Sequence, residues 1–286
     1  MNLIILNNNA TVVKSFNNNI LLVREKGKEK ILFQKGIGFG KKMGDIIEKG
    51  TLVEKVFIIE DKENQRNFNE ILTRVDTKLI GIVEEVIAEI TDELGETLNE
   101  NIHIGLVDHL FYAIKRLEEN EEIQNPFIVE IQTLYNKEFE MASKLADKIG
   151  EELNIEIPEG EKGFIALHIH SARNNGKLSN TIKYSFLSNS IIEHVEDRLN
   201  IEIDRKSLDY ARFLTHIRFA IERIITDAPI KNDLIYVIKK KYKLSYEIAK
   251  ETKKIICRAL EISNISEDEI AYLAMHIERF RSSIIK

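Results

Sequence analysis

The chain has 286 residues, room for two or three domains at the usual ~100–200 residues each, and its 43% hydrophobic content supplies a sizeable core. No apolar run reaches the ~18 residues of a membrane span, the start "MNLIILNNNA" lacks the features of an export signal, and the single cysteine, Cys257, excludes an intrachain disulfide, so a reducing cytoplasm is expected. Net charge is −6, but residues 1–60 carry ten basic and six acidic side chains against 31 and 41 in the rest, so a small basic segment suited to a polyanion precedes a larger acidic body.

Residues 1–60 read as β. Short apolar runs ("LIIL", "TVV", "ILLV", "ILF", "VFII") are separated by Asn7–Asn9, Asn17–Asn19 and a turn at Gly27, residues that tolerate the dihedrals of tight turns. So few strands make a marginal core alone, which predicts dimerisation through the sheet. Within this segment "QKGIGFGKKMGD" (Gln34–Asp45) carries glycines at 36, 38 and 40. Alternating glycines in a strand let another backbone approach. Phe39 between them is poorly placed for burial and suited to stacking on an unpaired base, with Lys35, Lys41 and Lys42 near enough for phosphates.

Residues 61–70, "DKENQRNFNE", are polar and predict a linker. Beyond them apolar residues recur at three- and four-residue spacing, as in "LIGIVEEVIAEI" and "YEIAKETKKIICRALEI", the mark of amphipathic helices. Pro126, Pro158 and Pro229 are the only prolines, and "RNNGKLSN" (Arg173–Asn180) is a second polar break. The expected fold is α+β and multidomain: a small antiparallel β head followed by two all-α helical bundles.

The bundles are copies. "DHLFYAIKR" falls on "THIRFAIER" at an offset of 107, and "EKGFIALHI" falls on "DEIAYLAMHI" at 108. His109 and His168 in the first copy thus match His216 and His276 in the second, which points to internal duplication. Metal binding needs three or four converging ligands, whereas His168 and His170 diverge by roughly 200° around a helix; no metal or other cofactor is predicted. General acid–base catalysis lacks an accompanying nucleophile motif or phosphate loop. Phosphoryl acceptance remains, because neutral imidazole is a competent nucleophile near pH 7. Asp108 adjoins His109 and suits orienting its ring. Arg116 and Arg223 lie about two helical turns beyond His109 and His216, placed to pair with acidic residues or a phosphate.

With "ILNNNATVV", "KGIGFGKKMGD", "DHLFYAIKR", "EGEKGFIALHIHSA", "THIRFAIER" and "YLAMHI" in view, the chain resembles the BglG/SacY/LicT family of transcriptional antiterminators over its full length, closest in wording to the glucose-type branch. The resemblance implies a non-enzymatic regulator with an RNA-binding domain at 1–59 and a linker at 60–70. Phosphotransferase-system regulatory domains are implied at 71–173 and 182–286, joined by a linker at 174–181. It further implies a homodimer that binds a leader mRNA hairpin, does not insert in a membrane, and prevents terminator formation upstream of a sugar-transport operon. The phosphocarrier HPr and a sugar-specific permease (enzyme II) would donate phosphate. Carried over by residue, RNA contact falls on Asn9, Lys35, Gly36 and Phe39 with Lys41 and Lys42 as phosphate contacts, and phosphoacceptor status on His109, His168, His216 and His276. Lys35 stands where several relatives have arginine, and Thr215 replaces the Asp108 of the first copy, so the copies need not accept phosphate equally. The alternatives are a DNA-binding activator with the same regulatory domains, or a histidine phosphocarrier.

Overall fold

A computed structural model describes residues 3–174 and 178–284. The first sixty residues form seven strands: β1 (Ile4–Ile5), β2 (Ala10–Ser15), β3 (Ile20–Glu25), β4 (Lys28–Phe33), β5 (Ile46–Ile47), β6 (Leu52–Val53) and β7 (Lys55–Ile58). Five make an antiparallel sheet in the order β5-β2-β3-β4-β7, and β1 pairs separately with β6. The β3–β4 hairpin closes on Lys26 and Gly27, both at positive φ, the two-residue turn whose twist matches its strands. Asn17 caps the β2–β3 turn, its Oδ1 accepting from the backbone of Asn19 and Ile20. One face of the sheet buries Leu6, Val12, Leu21, Val23 and Leu32. The other face of the central strands, Ile20, Leu22 and Ile31, is equally buried; Leu22 and Ile31 meet Phe68 there.

That cover corrects one expectation. Residues 61–70 are not a linker: Lys62–Arg74 is a helix, α1. Asp61 caps it, Oδ1 accepting from Glu63 and Asn64, and satisfies donors the first turn leaves open. The polar sequence hid it because only Phe68 and Ile71 are buried.

The first copy continues with α2 (Thr77–Leu94), α3 (Asn101–Glu118), α4 (Ile128–Leu134), α5 (Asn136–Leu153) and α6 (Glu159–Arg173). The second has α7 (Leu178–Leu199), α8 (Leu208–Ile225), α9 (Ile235–Lys241), α10 (Lys243–Leu260) and α11 (Glu267–Ile284). The polar break expected at Arg173–Asn180 is shorter than its composition suggests. Arg173 ends α6 and residues 178–180 already belong to α7, while 175–177 lie outside the described residues.

The chain divides into two compact units, Met1–Asn125 with Lys137–Gly176, and Pro126–Asn136 with Lys177–Lys286. In the first, α3 packs on α1, α2 and α6, and α2 packs on β3 and β4. In the second, α11 packs on α8, α9 and α10 around Leu214, Ile217, Ile248, Ala274 and Ile277. The α4 segment, from the first copy by sequence, belongs to this second unit. It packs on α7 and α8, and Tyr210 donates its hydroxyl to Glu130 at 2.6 Å, both groups buried. Ile131 seals the contact, fully buried. Among the described residues no helix is long and apolar enough to cross a membrane.

Candidate functional site

The segment Gln34–Asp45 leaves β4 and enters β5 as successive turns, not as the strand its alternating glycines predicted. Gly36 and Gly40 sit at φ 78° and 69°, outside strand geometry and open to glycine at little cost. Gly38 serves close approach instead: a Cβ there would lie 2.2 Å from the Asn17 carbonyl oxygen, and its N–H donates to Asn18 O. Gly36 N–H donates to Asn19 Oδ1. The asparagine turn thus holds the glycine turns from below, and Phe39 stands at the top, 76% exposed.

Lys35 and Lys42 are exposed beside it and Lys41 is half-buried. Met43, 82% exposed, extends the apolar tip; sequence reasoning passed it over because a lone methionine in a polar stretch carries no signal. Asn9 stands at the start of the β2 region with Oδ1 accepting from Lys49 N–H. It and the glycine turns therefore bracket β5. An exposed aromatic on a hydrogen-bonded glycine turn, flanked by lysines, suits single-stranded or looped nucleic acid.

The paired histidines converge in both copies. In the first, α3 brings His109 and α6 brings His168 to a ring-centroid distance of 5.2 Å. Glu161, fully buried on α6, lies 3.0 Å from His109 Nε2 and accepts from Arg116 at 2.8 Å. Burial pushes the Glu161 carboxyl up, but the His109 and Arg116 contacts outweigh it and hold the group below the ordinary carboxylate range. Burial, reinforced by His109, pushes His168 down to about 3. Gly105 makes room for the ring: a Cβ there would stand 3.2 Å from His168 Nδ1. Asp108 does not orient His109 but pairs with Arg74 of α1. His170 turns away to Glu138.

In the second copy the rings of His216 and His276 stack at 3.6 Å with 22° between planes. Glu269 matches Glu161 at the offset of 108 but, among the described residues, its carboxylate grips Arg223 and no histidine, in two hydrogen bonds of 2.7 and 2.8 Å. His216 Nδ1 instead meets the Tyr272 hydroxyl at 3.1 Å, where the first copy has Phe164. Burial, then His216 and the Arg279 and Arg223 charges, push His276 down to about 4; burial and the same arginines lower His216. Thr215 donates to Ala211 O within its helix. The two glutamates and Tyr272 were missed at first sight, yet the 108-residue register that aligned His168 with His276 aligns both.

Neutral imidazoles keep a lone pair available at pH 7, the state a nucleophile needs. Among the described residues no group of three or more metal-ligating side chains is assembled. A basic β head with an aromatic-tipped glycine turn, joined to two helical copies that each bring two imidazoles together, defines a nucleic-acid-binding regulator. The CAT RNA binding domain matches residues 10–66, and the PRD domain matches twice, at 84–172 and 189–280. Over 283 residues the chain is 41% identical to the PtsGHI operon antiterminator of Bacillus subtilis, covering 98% of this chain and all of that one. It is 32% identical to the transcription antiterminator LicT of the same organism, covering 94% and 98%. A crystal structure of GlcT CAT-PRDI aligns at TM-score 0.50 and 45% identity, covering 58% of this chain and 99% of that one. The chain belongs to the BglG/SacY/LicT family of transcription antiterminators, RNA-binding regulators and not enzymes.

Proposed function

We propose that this chain acts in the cytoplasm as a homodimer whose residues 1–59 bind a hairpin in nascent leader mRNA. Binding keeps an overlapping terminator from forming upstream of a sugar phosphotransferase operon. Regulatory domains at 71–173 and 182–286 control it through phosphate on His109, His168, His216 and His276, donated by HPr and a sugar-specific permease. The name of the B. subtilis relative supports an operon of that kind. The dimer is supported by Leu3, Ile4, Ile5, Ile46 and Leu52, all exposed in and beside β1, β5 and β6, a larger apolar display than a small monomeric head has reason to keep.

The observation that carries the RNA reading is Phe39, exposed on turns that the Asn17–Asn19 segment holds in shape. Asn9, Lys35, Gly36, Lys41 and Lys42 complete the proposed contact surface. Base–aromatic stacking contributes roughly 1–3 kcal/mol, so Phe39→Ala in the full chain should bind the leader hairpin about 5- to 150-fold more weakly with its fold intact. A gel shift against the upstream leader RNA, with circular dichroism alongside, measures both. Equal affinity of variant and parent, or equal affinity for duplex DNA of the same sequence, would overturn the assignment.

A further inference from the structure

The two histidine pairs differ most on the side facing away from their arginine–glutamate bridges. In the second copy Arg212 lies four residues before His216 on α8 and Arg279 three residues after His276 on α11, so each shares a helix face with its histidine. All four side chains line one small cavity with Asp209, Phe213 and Phe280. Arg279 is exposed and makes no ion pair or hydrogen bond among the described residues. Arg212 has one loose partner, Asp209 at 3.6 Å, with both side chains about half exposed. Two guanidiniums against one carboxylate leave the mouth of this cavity with a surplus positive charge.

The first copy has nothing comparable. The matched positions are Ile102, Gly105 and Ser171. The arginines nearest its imidazoles are already taken, Arg116 by Glu161 and Arg74 by Asp108, and Glu161 itself reaches His109 Nε2.

The geometry points to an oxyanion clasp in the second copy: Arg212 and Arg279 bind the oxygens of a phosphoryl group carried on His216 or His276, and the first pair has no such clasp. Its covalent form rests on the phosphoacceptor reading above. With Nδ1 of His216 engaged by Tyr272, Nε2 is the nitrogen left to attack. The N–P bond of a phosphohistidine donor protein breaks as the acceptor lone pair forms the new one. The donor imidazole leaves with the electron pair, takes up a proton from water, and the acceptor ring releases one. The phosphoryl group brings a charge of about −1.5 to −2. Guanidinium forks match its oxygens and make charge-assisted hydrogen bonds to them. Asp209 is released from Arg212 as the phosphate takes its place.

The test uses the full chain with histidine side-chain NMR during titration with inorganic phosphate. The His216 and His276 signals should shift saturably while those of His109 and His168 stay still. Arg212→Gln with Arg279→Gln should abolish the shift, and the double Lys variant should restore part of it; both positions are exposed, so these replacements leave the core untouched. Unmoved signals, equal movement of all four, or saturable shifts persisting in the Gln variant would overturn the clasp. The second arm charges the chain from a phosphohistidine carrier, removes the donor, and follows each site by mass spectrometry. Phosphate on the second pair should outlast that on the first, and its lifetime should fall several-fold in the Gln variant; an unchanged lifetime there overturns the covalent form. A saturable phosphate shift with no phosphohistidine at any of the four positions would retain the clasp as an anion site and remove the phosphoacceptor reading.

Discussion

Glu161 and Glu269 occupy matched positions, yet one touches a histidine and an arginine and the other an arginine alone. Removing one partner of a buried ion pair costs more than the pair contributes, because the remaining charge stays buried without compensation. Arg223→Ala should therefore destabilise the second unit by about 3 kcal/mol. Arg116→Ala should cost less, since His109 remains beside Glu161. Urea denaturation of each variant decides the order, and a larger loss from Arg116→Ala would show that the His109 contact adds nothing. The imidazoles make a second prediction. His168 and His276 sit at about 3 and about 4 in the folded chain, below their ordinary 6.5. The unfolded chain takes up these protons as pH falls through 6.5 while the folded chain does not, so stability is fully present above 6.5 and declines towards the folded values. The lowered carboxylates, ordinarily at 4.5, do not titrate in the upper part of that window. Thermal midpoints should fall between about pH 6.5 and 4.5, and the fall should be shallower in His168→Gln/His276→Gln; an equal slope in parent and variant would refute it. The histidines and arginines were legible because duplication repeats them, at offsets of 107 and 108. Which ring nitrogen meets Glu161 or Tyr272 was not, because it depends on contacts between helices far apart in sequence.

Helices with a long apolar stripe were equally plain from their spacing, and α1 shows where that signal fails. Its burial rests on Phe68 and Ile71, two residues that make no periodic pattern within a polar stretch. The α4 segment illustrates a different gap: its membership in the second unit is set by Glu130 meeting Tyr210, a pairing eighty residues apart that no local pattern encodes. The asparagine turn between β2 and β3 was read as punctuation and is a bracket. Asn17 and Asn19 each donate a side-chain amide to Glu85 of α2, at 2.7 and 2.9 Å, and Asn19 holds Gly36 on its other side. Lys148 of α5 pairs with the same glutamate. A regulatory helix is thus joined by two side chains to the turns that carry Phe39. Hydrogen bonds to a charged acceptor contribute about 1.5–3 kcal/mol each, less where solvent competes as it does here. Glu85→Ala should raise hydrogen exchange at the Gly36 and Gly38 amides and weaken RNA binding several-fold, with little change in the thermal midpoint. Unchanged protection at both amides would mean that the glycine turns hold themselves.

Across the whole chain, charge and duplication together suggest how one regulator takes two inputs. The basic surplus lies in the first sixty residues and the acidic surplus beyond them. A phosphate on the first pair would add about −1.5 to −2 charges beside Glu161, a buried carboxylate already held ionised by His109 and Arg116. Like charges at that distance in a partly dry site repel strongly, and the α3–α6 contact that seats both histidines would have to give way. The first unit also contains the sheet and α1, with α3 packed on α1 and α2 packed on β3 and β4, so disturbance of α3 reaches the elements that support the glycine turns. If the permease charges this pair when its sugar is absent, phosphorylation there is a brake, and His109→Ala removes it. A reporter placed downstream of the terminator should then be expressed without sugar, at the level the parent reaches with sugar. His216→Ala should stay sugar-dependent if the two copies read different donors, because its pair lies in the other unit. Sugar-dependent expression surviving in His109→Ala would exclude His109 as the braking site and pass that role to His168. Constitutive expression in both variants would mean that the two copies read a single donor.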